Sequence, residues 1–364
     1  MKTGIKIGII TITNGQNYGN RLQNYALQEV IKELGHRPET IWNDTGSWEN
    51  LGIYSRFKYW IRSKIHLKYT PRIDRVVKFT RFNRTFIQWS KYKVSNSYIP
   101  ASLGESYDYF ICGSDQIWNP FYSRTSGVDF LSFAECEKKI AYAASLGVGT
   151  IEKKHEAMFQ KYLKDFPVIS VRETQGAVIL EKILKRKIPV MPDPTILLTR
   201  EQWNRIERKP KQVGEKEEYI LTYFLNENPQ ALKDIPKISE MYHCRVISLE
   251  DCYTDGNENS YFITMDPAEF LWLISHAKII LTDSFHGCVF SIIYAKKFFV
   301  YNRKFKVSMG SRIEQLLHTY QLEDHMIHDE NPLNLKILDN SKDINKILNE
   351  ERKRGIQFLR ENLQ

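Results

Sequence analysis

Ile5-Lys-Ile-Gly-Ile-Ile-Thr11 runs into Asn14-Gly-Gln-Asn-Tyr-Gly-Asn20, and Leu22, Tyr25, Ala26, Glu29, Val30 and Leu34 then follow at three- and four-residue steps. The apolar run predicts a buried strand, the polar glycine-bearing stretch a turn, and the 3.6-residue period a helix. Gly35 supplies the helix stop. Together they make a βα unit whose turn lies at the carboxyl end of its strand, the edge where open α/β sheets bind ligands.

The same alternation continues outward from this unit. Strands are predicted at Tyr107 to Gly113, Lys139 to Ala144, Val168 to Arg172 and Ile188 to Met191, with helical patterns between the later ones. A polar, Pro- and Gly-bearing stretch from Asp193 to Lys216 marks a linker or domain edge. A second series follows: strands at 219–225, 245–249, 279–282 and 298–301, helices at 229–242, from Asp266-Pro267 and at 284–295, and a last helix over roughly 341–361. Repeated β and α elements argue for parallel sheets covered on both faces. The expected organisation is an N-terminal α/β domain over 1–195 with a helical basic insertion at about 51–100, and a linker over 196–217. A C-terminal α/β domain over 218–335 and a helical tail over 336–364 complete it. The fold class is α/β, two Rossmann-like domains facing a cleft.

Composition sets the outer limits. With 364 residues, 26% charged and 42% hydrophobic, the chain is not disordered, and at about 150 residues per domain it has room for two cores. Five scattered cysteines without a CxxC pair exclude a disulfide scaffold or zinc ribbon. The first apolar stretch is far shorter than the roughly 20 residues needed to span a bilayer, so a reduced, cytoplasmic protein is expected. The formal charge of +9 asks for an anionic partner. That charge is local: residues 51–100 hold twelve bases and one acid, and the other 314 residues sum to −2. Ile53, Phe57, Ile61 and Ile65, and Phe82 and Phe86, are spaced by four, so basic helices with one apolar stripe are expected there.

Four junctions carry candidate chemistry. In Leu281-Thr-Asp-Ser-Phe-His-Gly287, a strand ends, Asp283 or Ser284 caps the next helix, and His286 falls in its first turn. Unpaired N–H groups and a positive dipole make that turn an anion site beside a titratable ring, which the dipole would hold neutral. The plainer alternative is a capped helix with a packed histidine. Arg172 ends a strand before a helix; its guanidinium suits a carboxylate or phosphate, or equally an ion pair with Glu173 or another acid. Gly113, Ser114, Asp115 and Gln116 form a second strand-to-loop junction, where a glycine permits close approach of a ligand. Asn17, Gly19, Asn20 and Arg21 line the first turn, which lacks GxGxxG and GK[ST] spacing. HExxH and GxSxG are absent too, so hydrolase chemistry has no support, and no metal cluster is visible.

Asn17-Tyr-Gly-Asn-Arg-Leu-Gln-Asn-Tyr-Ala-Leu27, Gly113-Ser-Asp-Gln-Ile-Trp-Asn119, Lys139-Ile-Ala-Tyr-Ala-Ala-Ser145, Ile169-Ser-Val-Arg-Glu173, Asp193-Pro-Thr195 and Thr282-Asp-Ser-Phe-His-Gly287 together resemble the bacterial polysaccharide pyruvyl transferases. The resemblance implies a GT-B-like fold, phosphoenolpyruvate as co-substrate without a further cofactor, and a glycan or lipid-linked oligosaccharide as acceptor. The implied product is a ketal, with release of phosphate. It further implies that His286 is the acid/base and that Arg172 holds the donor, with Asp283 and Ser284 beside it. A basic residue about twenty positions after the histidine also contributes; Lys306 fits by spacing, with Lys304 and Arg303 adjacent. Where many members read Arg-Leu-His, this chain reads Ser284-Phe285-His286, so a donor contact is either missing or supplied from elsewhere, by Arg21 or the 303–306 cluster.

Two other readings stay open on sequence alone. A nucleotide-sugar glycosyltransferase could use the same architecture, since a helix N-terminus with Arg and Lys also suits a diphosphate. A nucleic-acid or membrane-surface binder could be built on the basic segment, although aromatics at four-residue steps are more simply a helical core face. Nucleic acid is therefore not the expected partner. The segment would instead face an anionic lipid-linked acceptor or the inner face of the membrane carrying it, making the protein cytoplasmic or peripheral.

Overall fold

Ile7, Ile9 and Ile10 are fully buried, as a run of apolar residues in a strand covered on both faces must be. They belong to β1 (Lys6–Ile10) in the computed structural model, which describes residues 4–45, 71–249, 260–262, 264–302, 311–328, 332–336 and 344–364. β1 is followed by β2 (Arg37–Asn43), β3 (Trp89–Val94), β4 (Tyr109–Cys112), β5 (Lys139–Ala144) and β6 (Val168–Val171). All pair in parallel, in the order β3-β2-β1-β4-β5-β6. The helix Tyr18–Glu33 buries Leu22, Ala26, Leu27, Val30 and Ile31. Its N-cap, Asn17, accepts a hydrogen bond from Asn20 N at 2.9 Å. Gly35, at φ +88°, ends the helix in a conformation that glycine adopts without steric cost.

The second sheet repeats the pattern with β7 (Tyr219–Tyr223), β8 (Arg245–Ser248), β9 (Ser260–Phe262), β10 (Ile279–Thr282), β11 (Phe298–Tyr301) and β12 (Met326–Ile327). Its order is β12-β11-β10-β7-β8-β9, again all parallel. Ile220, Phe224, Ile279, Leu281 and Phe299 pack in its core. In both sheets the chain builds outward on one side, then returns to build on the other. Strand order thus reverses between β1 and β4 and between β7 and β10, where the loops at the carboxyl ends part and leave a crevice.

Two units result. One holds Met1–Ile73, Asn83–Leu197 and Glu351–Gln364; the other holds Asp74–Phe82 and Leu198–Glu350. The expected linker over 196–217 is instead partly structured. Thr199 and Gln202 form a capping box on the helix Arg200–Asn204. Trp203 in that helix is fully buried and meets Phe290 edge-on, with ring centroids 5.0 Å apart, which places it in the second core. The expected strand at Ile188 to Met191 reduces to a single bridge between Val171 and Val190.

The basic segment matches expectation in the helix that carries Phe82 and Phe86 and departs from it elsewhere. The positions Ile53, Phe57, Ile61 and Ile65 lie outside the described residues. Its later part forms the helix Pro71–Phe86 and then β3, an edge strand with Lys91 and Lys93 exposed, a common way to guard an edge against unwanted pairing. Residues 74–82 group with the second unit, not the first. There Lys78 lies 3.4 Å from both Asp74 and Glu269, and Arg81 lies 3.1 Å from Asp266. Part of the basic excess is thus neutralised within the fold.

The tail forms the helix Ile344–Asn362, and its residues from Glu351 onward group with the first unit. Gly355 makes the approach possible: a Cβ there would lie 2.4 Å from Leu197 Cδ2 and 2.5 Å from the Tyr142 hydroxyl. Replacing Gly355 by Val should therefore destabilise the protein by about 1–3 kcal/mol through overpacking, measured as a lower urea midpoint at unchanged slope.

Candidate functional site

The first unit's crevice is framed by the turn after β1 and the loop after β4. Gly113 sits at φ +122°, and a Cβ there would come within 2.2 Å of the Tyr142 carbonyl, so only glycine fits. Asp115 follows at φ +52°, a left-handed conformation uncommon outside glycine. The two loops are stitched together. Gln23 accepts from Ser114 N at 3.0 Å and donates to Thr11 Oγ1 at 2.9 Å, while Asn20 Nδ2 donates to Asp115 Oδ2 at 3.2 Å. Gly19 and Asn20 are buried in the first turn of the helix. Gln116 accepts from Asn119 at 2.8 Å and from Tyr122 at 3.1 Å, which orders the outer part of the loop.

Arg172, at the end of β6, is 5% exposed. Its Nη1 donates to Asp193 Oδ2 at 2.6 Å, and its Nη2 lies 3.5 Å from Asp115 Oδ1. Glu173 is not its hydrogen-bonded acid. One Glu173 oxygen accepts from the Ser145 hydroxyl, Leu146 N and Gly147 N at 3.0, 2.8 and 3.1 Å. Burial alone would lower the Arg172 pKa, but the charges of Asp193, Asp115 and Glu173 outweigh it and raise the pKa above the ordinary value.

Arg21 is held within the first turn. Its guanidinium, 2% exposed, donates to the carbonyls of Ile12 at 3.2 Å and Gly15 at 2.8 Å, and also to Thr13 O and Asn20 Oδ1. Burial drives its pKa down to about 10 against the opposing charge of Asp115. It is a clamp on the first turn.

In the second unit, His286 stands in the first turn of the helix Phe285–Ile293, at the carboxyl end of β10 and beside the reversal point. Ser284 is the N-cap, accepting from Gly287 N at 3.4 Å. Asp283 is turned the other way, accepting from Leu225 N at 2.7 Å, and so ties the loop after β7 to the loop after β10. Thr282 donates to Tyr223 O at 2.6 Å and accepts from Ser284 N at 3.0 Å, completing the seat of the helix. His286 itself is 6% exposed, with its ring perpendicular to that of Phe285. Lys306, Lys304 and Arg303 lie outside the described residues. Among the described residues no group of three or more His, Cys, Asp and Glu is placed to hold a metal ion. No described helix is long and apolar enough to cross a membrane.

The structure thus places Asn17, Gly19, Asn20, Arg21, Gly113, Ser114, Asp115, Gln116 and Arg172 after β1, β4 and β6 of the first sheet, and Asp283, Ser284 and His286 after β10 of the second. Sequence reasoning gave Asp193 no role. Its signal was the Asp-Pro-Thr pattern, in which the Asp193 side chain accepts from the backbone two residues on. The loop after β7, tied to Asp283 through Leu225, was missed as well.

Two Rossmann-like domains of this kind define a GT-B-like protein, and comparison with solved structures agrees. The UDP-GlcNAc 2-epimerase from Methanocaldococcus jannaschii matches at 14% identity over 98% of this chain and 99% of that one, with a TM-score of 0.54. A second UDP-N-acetylglucosamine 2-epimerase matches at 12% identity over 99% of this chain and 95% of that one, with a TM-score of 0.51. Curated proteins give no match. The polysaccharide pyruvyl transferase family model matches residues 17–304, and the chain belongs to that family.

Two outcomes test the local arrangement. A Cβ at Gly287 would lie 2.5 Å from Thr282 Oγ1, so Gly287→Ala should shift the start of the His286 helix and lower the melting temperature. Asp129 ties Asn43 and Arg124 to the loop after β4, at 3.0 and 3.1 Å, and burial raises its pKa to about 6 despite Arg124. A carboxyl raised on folding favours the folded state most below its unfolded pKa, and that benefit is lost as pH rises through 6. Between pH 4 and 7, Asp129→Asn should therefore remove a fall in stability on the order of 2–3 kcal/mol, read from urea titrations across that range.

Proposed function

We propose that the protein transfers a pyruvyl group from phosphoenolpyruvate to two hydroxyls of a cell-surface glycan or its lipid-linked precursor, forming a ketal and releasing phosphate. The carrying observation is His286 in the first turn of a helix at the reversal point of its sheet, in a chain of this family. In the first step a sugar hydroxyl adds to C2 of the donor while C3 gains a proton. Phosphate then leaves with its bridging oxygen, and the second hydroxyl closes the ketal and loses its proton. One group that both gives and takes protons near neutrality serves this sequence, and an imidazole is suited to it. In the first unit the Arg172 guanidinium suits a phosphate or carboxylate, and in the second the positive pole of the helix that carries His286 favours an anionic group. Lys306 or its neighbours Lys304 and Arg303 would add a further cation. The basic segment at 51–100 would favour an acceptor carried on an anionic lipid surface.

Purified protein incubated with phosphoenolpyruvate and a panel of lipid-linked or synthetic glycans should release inorganic phosphate and add a pyruvyl mass to an acceptor. His286→Ala should lower kcat by about 10²–10⁴-fold, the usual contribution of a positioned acid/base. Turnover with a sugar nucleotide, and none with phosphoenolpyruvate across the panel, would overturn the reading.

A further inference from the structure

Asp193 is a buried carboxylate on which donors from Thr195, Arg172 and Ser114 converge. Its side chain has no exposed surface. Oδ1 accepts from Thr195 N at 3.0 Å and from the Thr195 hydroxyl at 2.7 Å. Oδ2 accepts from Arg172 Nη1 at 2.6 Å and, at 3.2 Å, from the Ser114 hydroxyl, whose single proton is shared with a shorter bond to Ala143 O at 2.7 Å. The Thr195 contacts fix the rotation of the carboxylate, and the carboxylate in turn fixes the guanidinium. A planar fork gripped through one nitrogen by a group that cannot turn is itself unable to turn freely.

The segment that carries Asp193 is anchored as firmly as its side chain. Val171 N donates to Pro189 O at 3.1 Å, and Met191 N donates to Val171 O at 2.8 Å, which lays the segment beside β6, one residue from Arg172. The Tyr142 hydroxyl donates to Pro192 O at 3.0 Å, and Arg354 donates to Val190 O. Strand, cross-strand tyrosine and C-terminal helix all set the position of one carboxylate.

We infer that Asp193 is a positioning residue for the donor site: held by Thr195 and Ser114, it orients Arg172 to receive the anion of phosphoenolpyruvate. The inference rests on the donor role proposed above for Arg172. Its distinguishing feature is that the effect should appear in donor affinity. A carboxylate that only stabilised the fold would, when altered, reduce the amount of active protein and leave the KM of the surviving molecules unchanged.

The test is steady-state kinetics with phosphoenolpyruvate varied at saturating acceptor, on Asp193→Asn, Thr195→Val, Ser114→Ala, Arg172→Ala and the Arg172→Ala/Asp193→Asn double variant. Asp193→Asn should raise the donor KM about tenfold or more, the scale expected when a charged anchor is released to move by about an ångström. The acceptor KM should stay within about threefold of wild type. Thr195→Val removes one hydroxyl and keeps the side-chain volume, so it reports even if Asp193→Asn folds poorly. It and Ser114→Ala should each raise the donor KM by about two- to fivefold. The double variant should be no worse in donor KM than Arg172→Ala alone, because Asp193 acts through Arg172. If Arg172→Ala uses the donor as well as wild type, the donor role of Arg172 fails and this inference with it. If Arg172→Ala loses the donor while Asp193→Asn and Thr195→Val keep the wild-type KM, the positioning role alone is overturned.

Discussion

The reversal of strand order inside two fully parallel sheets is the constraint on which everything else depends. A parallel sheet must be covered on both faces, and its crossover helices lie on opposite faces on either side of the reversal. The loops leaving β1 and β4, and those leaving β7 and β10, consequently diverge. The protein fills these gaps with side chains from both flanking loops. Gln23, Asn20, Ser114 and Asp115 bind one gap together, and Asp283 reaches across to Leu225 N in the other. Arg172 and His286 follow strands of these two sheets.

Buried charge is organised within each frame. Arg21 and Arg172 are both almost inaccessible, yet their surroundings act in opposite directions. Arg21 meets mainly carbonyl oxygens, which accept hydrogen bonds without balancing a full charge, and burial prevails. Arg172 meets carboxylates, which balance its charge outright. A cation in the first setting holds a loop, and one in the second stays fully protonated between its carboxylates. The second unit shows a third arrangement. Lys78, Arg81 and Arg208 gather around Asp266 and Glu269, which cap the helix Pro267–His276. There the cations offset two carboxylates already favoured by the helix dipole.

Much of this was legible in the sequence, where local pattern and global fold agree. The βα unit from Ile5 to Gly35 could be read directly because apolar run, turn residues and helical period all point one way. The strand-helix junction at Leu281 to Gly287 was equally plain. β2 escaped notice because it begins Arg37-Pro38-Glu39, a polar start with a residue that cannot donate to a ladder. β3 was hidden inside a basic segment whose alternation of aromatic and lysine looked like a helix flank. The supposed linker concealed a helix because its charged residues outnumber the one, Trp203, that fixes it. Asp193 was the hardest to read: its partners Ser114 and Arg172 lie 79 and 21 residues earlier, and only the folded sheet brings them together.

The helix that carries Gly355 has a consequence for how the protein is made. Residues 351–364 complete the first unit, but a ribosome releases them only after the whole of Leu198–Glu350. The second unit therefore has its entire sequence while the first still lacks its last helix. Until that helix arrives, Tyr142, Pro192 and Leu197, which pack against Gly355, lack its cover. The nascent chain thus leaves Leu197 and Pro192 without this cover until the helix at Gly355 has been made, a transient exposure of the kind that favours self-association at high concentration.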